Sequence, residues 1–299
     1  MWQSVRHRFN HNFVRRLWGF IFVLPAIVFF LWFSIYPMIR AFYISLTKYN
    51  LLSAPRYIGL NNYRSFIGDE YFLNSMRATL TYVVGSVVPL LILSLFCAFL
   101  LQRWKYFSNT ITMILYSPMV ISAVVASIVW KLLFHPLGLV NTFTQAAWGK
   151  TYLWLSDRSV VQWAIIIVSL WKSLGYYTIL WLSGLKSIPI SFYEAAEIDG
   201  ASEFQRLTKI SLPLLRPTMA FILAISTISA FKSFELQYVL TEGGPADATN
   251  VIALSIYRLG LKHLQMGKAS ALSVIMFFII MVLTLIQLRV VRADEVSFE

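Results

Sequence analysis

Cysteine, histidine and charge are all scarce in this chain, and each scarcity excludes something. The single cysteine, Cys97, has no partner for a disulfide framework, and four scattered histidines supply no structural metal motif. His7 and His11 stand one helical turn apart, but two neutral imidazoles in a basic tail are a weak ligand set. Charged residues make up 13% of 299 positions, against about 25% in a soluble domain. Hydrophobic residues reach 58%, where a soluble domain has about 45–50%. Together these figures describe an integral membrane protein. No G-x(4)-G-K-[ST] occurs, since Gly260 and Gly267-Lys268 are wrongly spaced and followed by Ala269. The chain therefore lacks that route to ATP, and energy must come from a partner subunit or an ion gradient.

The net charge of +12 would suggest nucleic acid if the protein were soluble. In a multispanning chain, basic residues mark cytoplasmic loops and lipid head groups instead, so no nucleic-acid partner is expected. A hydrocarbon core about 30 Å thick needs roughly 20 apolar residues. Runs of that kind lie at about 17–39, between Arg77 and Arg103, between Lys105 and Lys131, at about 160–185, at about 218–240 and at 269–288. The first is too long, and too bulky where a cleavage site belongs, to be a signal peptide. The sequence thus predicts an all-α integral membrane protein of six transmembrane helices, with both termini on one side. Arg6, Arg8, Arg15 and Arg16 before the first span, with Arg103 and Lys105 in a tight 102–109 hairpin, favour a cytoplasmic N-terminus. The 40–76 segment reads as a folded cap over the first two spans, and Thr241 to Asp247, with Gly243-Gly244-Pro245, as a sharp reversal.

The 186–216 segment is the one acid-rich loop on the side of the termini. Pro189 stops the fourth span, and Ser191-x-x-Glu194 has the spacing of a capping box. Gly200 suits the left-handed residue that ends a helix. Ser202-x-x-Gln205 repeats the capping pattern. Phe204, Leu207 and Ile210 share one face before Pro213. The expectation is a helical hairpin with an elbow of Ala195, Ala196, Asp199, Gly200 and Ala201.

These residues carry a resemblance. Glu194-Ala195-Ala196, Asp199-Gly200-Ala201, Ile210, Leu212-Pro213 and Pro217 are similar to the EAA loop of permease subunits in bacterial binding-protein-dependent ABC importers. Trp171-Lys172-Ser173-Leu174-Gly175, Ser187-Ile188-Pro189 and Gly243-Gly244-Pro245 resemble its carbohydrate-uptake branch, of maltose and glycerol-3-phosphate type. Arg206-Leu207 departs from it, because many relatives carry an aromatic residue there. The resemblance implies a type I ABC importer permease fold with a cytoplasmic coupling-helix loop. It also implies a division into residues 1–74 (tail, first helix and external loop), a 75–288 core with five transmembrane helices, and a 289–299 cytoplasmic tail. Implied partners are a second homologous permease, two cytoplasmic ATPase subunits holding ATP and Mg, an external solute-binding protein, a carbohydrate and the bilayer. Glu194 or Asp199 would pair with a base on the ATPase, and Gly200 would permit a close approach. This chain itself would hold no cofactor and no metal, and would perform no covalent chemistry.

Lys172, Lys232 and Glu235 interrupt apolar spans, where each charge costs about 2.5–3.5 kcal/mol at a helix centre. They should face protein or water. With Tyr176, Tyr177, Trp181 and Phe234 close by, they outline a hydrated path in which rings stack on sugar faces. The bland alternatives are structural pairing, carbonyl capping or snorkelling, with the aromatics in the core or facing lipid. Two rival functions remain at this point. An ion-coupled secondary transporter should show broken helices and coupling carboxylates. A membrane enzyme should cluster carboxylates at a membrane face.

Overall fold

The computed structural model describes Arg15 and residues 18–103 and 108–291. The predicted basic tail, with Arg6, Arg8, Arg16, His7 and His11, lies outside the described residues, as do Lys105 of the hairpin and most of the 289–299 segment. Among the described residues the regular structure is helical, apart from a two-residue antiparallel ladder between β1 (Thr47–Lys48) and β2 (Arg56–Tyr57).

Among the described residues, four helices are long and apolar enough to cross a membrane unbroken: α1 (Trp18–Ser45), α3 (Glu70–Arg103), α7 (Val161–Ser187) and α13 (Met266–Val291). The third and fifth predicted spans are each bent instead. α4 (Ser108–Val120) and α5 (Ala123–Leu133) meet at 99°, and α9 (Glu203–Leu214) meets α10 (Arg216–Lys232) at 70°. Four spans become six if each bent pair is one span. Pro118 removes a backbone donor near the end of α4, and the Ser122 hydroxyl restarts the chain by capping the Val125 N–H at 3.2 Å.

Several boundaries move from the predicted ones. α1 runs past Arg40 to Ser45, with a wide π turn over Leu31–Ile35 ahead of Pro37. α3 begins at Glu70, so Arg77 lies within it. α10 stops at Lys232, and α11 (Glu235–Thr241) starts afresh beyond Ser233 and Phe234, so Lys232 and Glu235 flank a break. The 40–76 cap sits on the beginning of α13 as well as the end of α1. Asn62, in α2 (Asn61–Arg64), donates to the carbonyls of Ser45 and Thr47 at 2.8 Å, and the Gly267 N–H reaches the Tyr49 carbonyl at 3.2 Å.

α3 and α7 run parallel and form the central pair, tied by the Trp181 indole to Ser94 at 3.1 Å and by Gln162 to the Ala78 carbonyl at 3.0 Å. One buried cluster, with Leu90, Trp181, Leu185, Leu215 and Ile222, fills the end next to the 190–214 loop, here the loop end. A second, with Tyr82, Ile165, Leu236, Leu240 and Leu254, fills the opposite, far end. Helix directions bring Trp18 and Val291 to the loop end. The far end carries the cap, α6 (Leu139–Trp148), the 241–250 turn and α12 (Ile252–Tyr257).

Candidate functional site

Two places gather the residues singled out by sequence. The first is a cavity of about 370 Å³ between α3, α7 and the broken α10–α11 span. Lys172, Tyr177, Lys232, Phe234 and Glu235 line it. Tyr176 does not; it packs behind Tyr177 with ring centroids 5.1 Å apart, against the loop-end cluster. Trp181 is 1% exposed and belongs to the core.

Six serines that sequence reasoning passed over complete the lining: Ser86, Ser169, Ser173, Ser226, Ser229 and Ser233. The signal was present, because Ser169 and Ser173, and Ser226, Ser229 and Ser233, recur at the three- and four-residue spacing that puts side chains on one helix face. At the far edge of the cavity the Tyr82 hydroxyl lies 2.9 Å from the Ser169 oxygen and 3.2 Å from that of Ser233, joining three elements. A surface rich in hydroxyls, with three charges and aromatic rings, presents donors, acceptors and stacking faces to a neutral or charged polar solute.

Lys172 also has structural work. Its ammonium donates to the Met119 carbonyl at 3.2 Å and to that of Ile121, where α4 ends and the backbone turns. A cation at a helix C-terminus meets both orphan carbonyls and the negative end of the dipole. Its neighbours in the sequence serve the same bend. The Trp171 ring packs edge-on against Trp130 of α5 at 5.6 Å. At Gly175 any Cβ would overlap the Leu115 carbonyl and the Tyr116 Cα of α4. Trp171, Lys172 and Gly175 thus hold the two halves of the bend and its corner. No ion pair forms between Lys172 and Glu235 among the described residues.

The second place is the loop. α8 (Ile190–Ile198) starts after Pro189 with no side-chain cap, so the predicted Ser191–Glu194 capping box is absent: Ser191 lies one residue inside the helix, and Pro189 holds the capping position. Its C-terminus is a Schellman motif around Gly200 at φ +72°, with Ala201 N–H to the Ala196 carbonyl at 2.9 Å and Gly200 N–H to that of Glu197 at 3.1 Å. The second capping box is as expected, with Gln205 accepting from the Ser202 N–H at 2.8 Å and Ser202 accepting from that of Gln205 at 3.3 Å. Pro213 does not end α9. A π turn over Leu207–Ser211 widens the helix ahead of the proline, and the chain bends only after Leu214.

Ala196 is buried beneath the loop, while Glu194, Ala195, Asp199 and Gly200 are exposed and Ala201, Ile210, Leu212 and Pro213 half-buried. The acids divide in two. Glu203 accepts from Arg103 at 2.6 Å, tying the loop to α3, and Glu197 faces Arg206 at 3.4 Å, which gives the departing Arg206 a local partner. Glu194 and Asp199 have no basic partner among the described residues. Around them Ile190, Ile198 and Phe204 are 71%, 87% and 73% exposed. Large apolar side chains left bare beside unpaired carboxylates mark an interaction face.

Residues 90–293 match the family described as the binding-protein-dependent transport system inner membrane component. The probable ABC transporter permease protein YesP of Bacillus subtilis is 36% identical over 273 residues, spanning 90% of this chain and 88% of its own. The trehalose/maltose transport system permease protein MalF of Thermococcus litoralis is 32% identical over 279 residues, 92% and 93% of the two chains. Among solved structures, a bacterial ABC transporter involved in the import of the acidic polysaccharide alginate contains a chain that superposes with a TM-score of 0.83. It is 25% identical, with 97% of this chain and all of that one covered.

Proposed function

Because this chain belongs to the family of binding-protein-dependent transport system inner membrane components, we propose that it is one permease half of an ATP-driven importer for a carbohydrate, an oligosaccharide or sugar derivative. The half offers a path across the membrane and leaves ATP chemistry, with its Mg, to two cytoplasmic ATPase subunits. A second, similar permease and an external solute-binding protein complete the machine. The observation that carries the reading is the 190–214 loop, capped, exposed and apolar, with Glu194 and Asp199 unspent on its own fold.

In this reading α8 and the Gly200 corner seat in a groove on the ATPase, and the Arg103–Glu203 pair passes their displacement to α3. Substrate moves past Lys172, Tyr177, Phe234 and Glu235 by alternating access, the states being biased by differential binding of ATP and of the loaded receptor. Residues 75–288 form the permease core, α1 and the cap precede it, and both termini lie in the cytoplasm with the loop. An ion-coupled design would use the same broken spans, with Glu235 as its carboxylate, but it gives the exposed loop face no task.

The test is reconstitution of the complex with its co-expressed neighbours: ATP hydrolysis and sugar uptake should both rise when the external protein is loaded, and uptake driven by an ion gradient without ATP would refute the reading. Orientation is tested separately in a Cys97→Ser background. A cysteine at Ala246 should react with an impermeant thiol reagent in intact cells, and one at Ser202 should not.

A further inference from the structure

A second polar cleft, of about 270 Å³, lies at the far end between α3, α7 and the 241–250 turn, and it shares no lining residue with the cavity. Arg77 and Arg158 both line it, and neither has a carboxylate partner among the described residues. The acid in its lining, Asp247, is held by Arg258 at 3.5 Å, so an anion there would not meet an unshared negative charge. Gln162 also lines the cleft and is only 7% exposed. Its Nε2 donates to the Ala78 carbonyl at 3.0 Å, which fixes the amide orientation and leaves Oε1 buried with no donor. A bare buried acceptor is costly, so the cleft suits a ligand with both an anionic group and a hydroxyl.

What adjoins the cleft narrows the choice. From its floor toward the bilayer centre, Leu80 and Val84 of α3 and Trp163 and Ile167 of α7 are all exposed. Leu80 and Val84 stand two residues either side of Tyr82, which places them on the face of α3 turned away from the cavity. A basic, hydroxyl-seeking pocket continuous with an outward apolar stripe has the layout of a lipid: head, then chains.

We propose that this cleft binds the headgroup of an anionic glycerophospholipid of the phosphatidylglycerol kind. The phosphate lies between Arg77 and Arg158, a headgroup hydroxyl donates to Gln162 Oε1, and the acyl chains run down Leu80, Val84 and Ile167. The site shares no residue with the proposed sugar path, and with the orientation proposed above it lies in the outer leaflet.

The experiment uses the whole purified complex in nanodiscs of equal parts phosphatidylcholine and phosphatidylglycerol, with lipid retained after detergent extraction read by native mass spectrometry. Wild type should keep phosphatidylglycerol over phosphatidylcholine, and the Arg77→Gln/Arg158→Gln pair should lower that preference about fivefold or more, as two charge-assisted contacts are lost. An unchanged preference in an assembled double variant overturns the proposal. If the double variant does not assemble, Arg77→Lys/Arg158→Lys with Gln162→Leu serves instead, in nanodiscs that also contain phosphatidic acid: it keeps the charge and removes the hydroxyl acceptor, so phosphatidylglycerol should fall while phosphatidic acid does not. Equal retention of both lipids overturns the assignment. Inorganic phosphate or glycerol phosphate that stabilises the detergent-solubilised complex as well as the lipid does would make the site one for soluble anions. Loss of stimulation by the loaded external protein with lipid retention intact would make it a protein contact. Either result overturns the lipid assignment.

Discussion

Gly200, at the corner between α8 and α9, has φ of +72° and open space around the position of a Cβ, whereas Gly175, within α7, has helical geometry and the backbone of α4 where a Cβ would stand. The first glycine satisfies a conformation and leaves its surroundings empty. The second satisfies a packing distance and leaves nothing empty. Their regions differ in the same way: the loop is held by its own caps and presents side chains outward, and the bend at 120–123 is held by α7 at three points. A bulky residue should therefore be harmless to folding in one place and destructive in the other.

The largest effect is expected at the loop. Gly200→Arg should leave membrane insertion and permease pairing intact while abolishing uptake, because in the function proposed above the bulk projects into the space where the ATPase docks; copurification of the ATPase subunits should fall in parallel. Gly200→Ala is the sharper control. It adds little bulk but must hold a left-handed backbone, which costs about 1 kcal/mol, so it should keep most uptake. Equal loss in both variants would mean that conformation, and not docking space, is what Gly200 supplies.

Next comes Gly175→Val, for which overpacking costs about 1–3 kcal/mol or more. The two helix backbones cannot part without also moving Lys172 and Trp171, so assembled complex should be recovered in low yield with a lowered thermal midpoint. Recovery at wild-type yield and midpoint would show that α4 can shift away from α7 freely, and the contrast with Gly200 would collapse.

Lys172→Met decides how far the cavity and the bend are one structure. Methionine keeps much of the stem but takes the charged donor from the exposed Met119 and Ile121 carbonyls, each such bond being worth about 1.5–3 kcal/mol at most. Unpaired backbone is tolerated at membrane depth only where protein or water satisfies it. Uptake and receptor-stimulated ATP hydrolysis should accordingly fall together, by about tenfold for each 1.4 kcal/mol lost from the competent population. Uptake lost with ATP hydrolysis kept would assign Lys172 chiefly to substrate.

The loop was legible in the sequence because its determinants are local. A glycine in a left-handed turn and the Ser202–Gln205 capping box act over three or four residues, so spacing alone exposes them. The exception, Ser191–Glu194, failed because Pro189 set the helix start two residues earlier than a serine cap requires. The cavity was legible only in part, since its determinants are contacts between distant segments. A lysine in an apolar run announces that something must satisfy it, but the partner, a bent backbone some fifty residues away, leaves no trace in the spacing around Lys172. The six serines were missed because a hydroxyl in a membrane helix is normally satisfied within its own helix, as Ser86 is by the Tyr82 carbonyl at 2.6 Å. Tyr176 was misplaced because one helical turn from Lys172 puts it on the right stripe without saying whether the loop-end core claims it first.

The smallest effect is expected for Tyr82→Phe, and it tests whether the cavity region is bonded as tightly at its far edge as at the α4 bend. The phenol bridges Ser169 of α7 and Ser233 of the α10–α11 break, and with one proton to give it donates one of the two bonds and accepts the other. Phenylalanine fills the same buried volume, so no cavity forms and the ring keeps its place among Ile165, Leu236 and Leu254. What is lost is two neutral hydrogen bonds, about 0.5–1.5 kcal/mol each, while Ser233 keeps the bond it already donates to Gln237 at 3.4 Å. Ser169, facing the cavity, can turn to water. The complex should assemble normally, with a thermal midpoint lowered by a degree or two at most. The three-way contact also joins a rigid helix pair to a break in the fifth span, so its loss should loosen the far edge and raise ATP hydrolysis in the absence of the external protein by about two- to fivefold for ~0.5–1 kcal/mol. A basal rate unchanged within error would make Tyr82 plain core, and the far edge of the cavity would then be held by apolar packing alone.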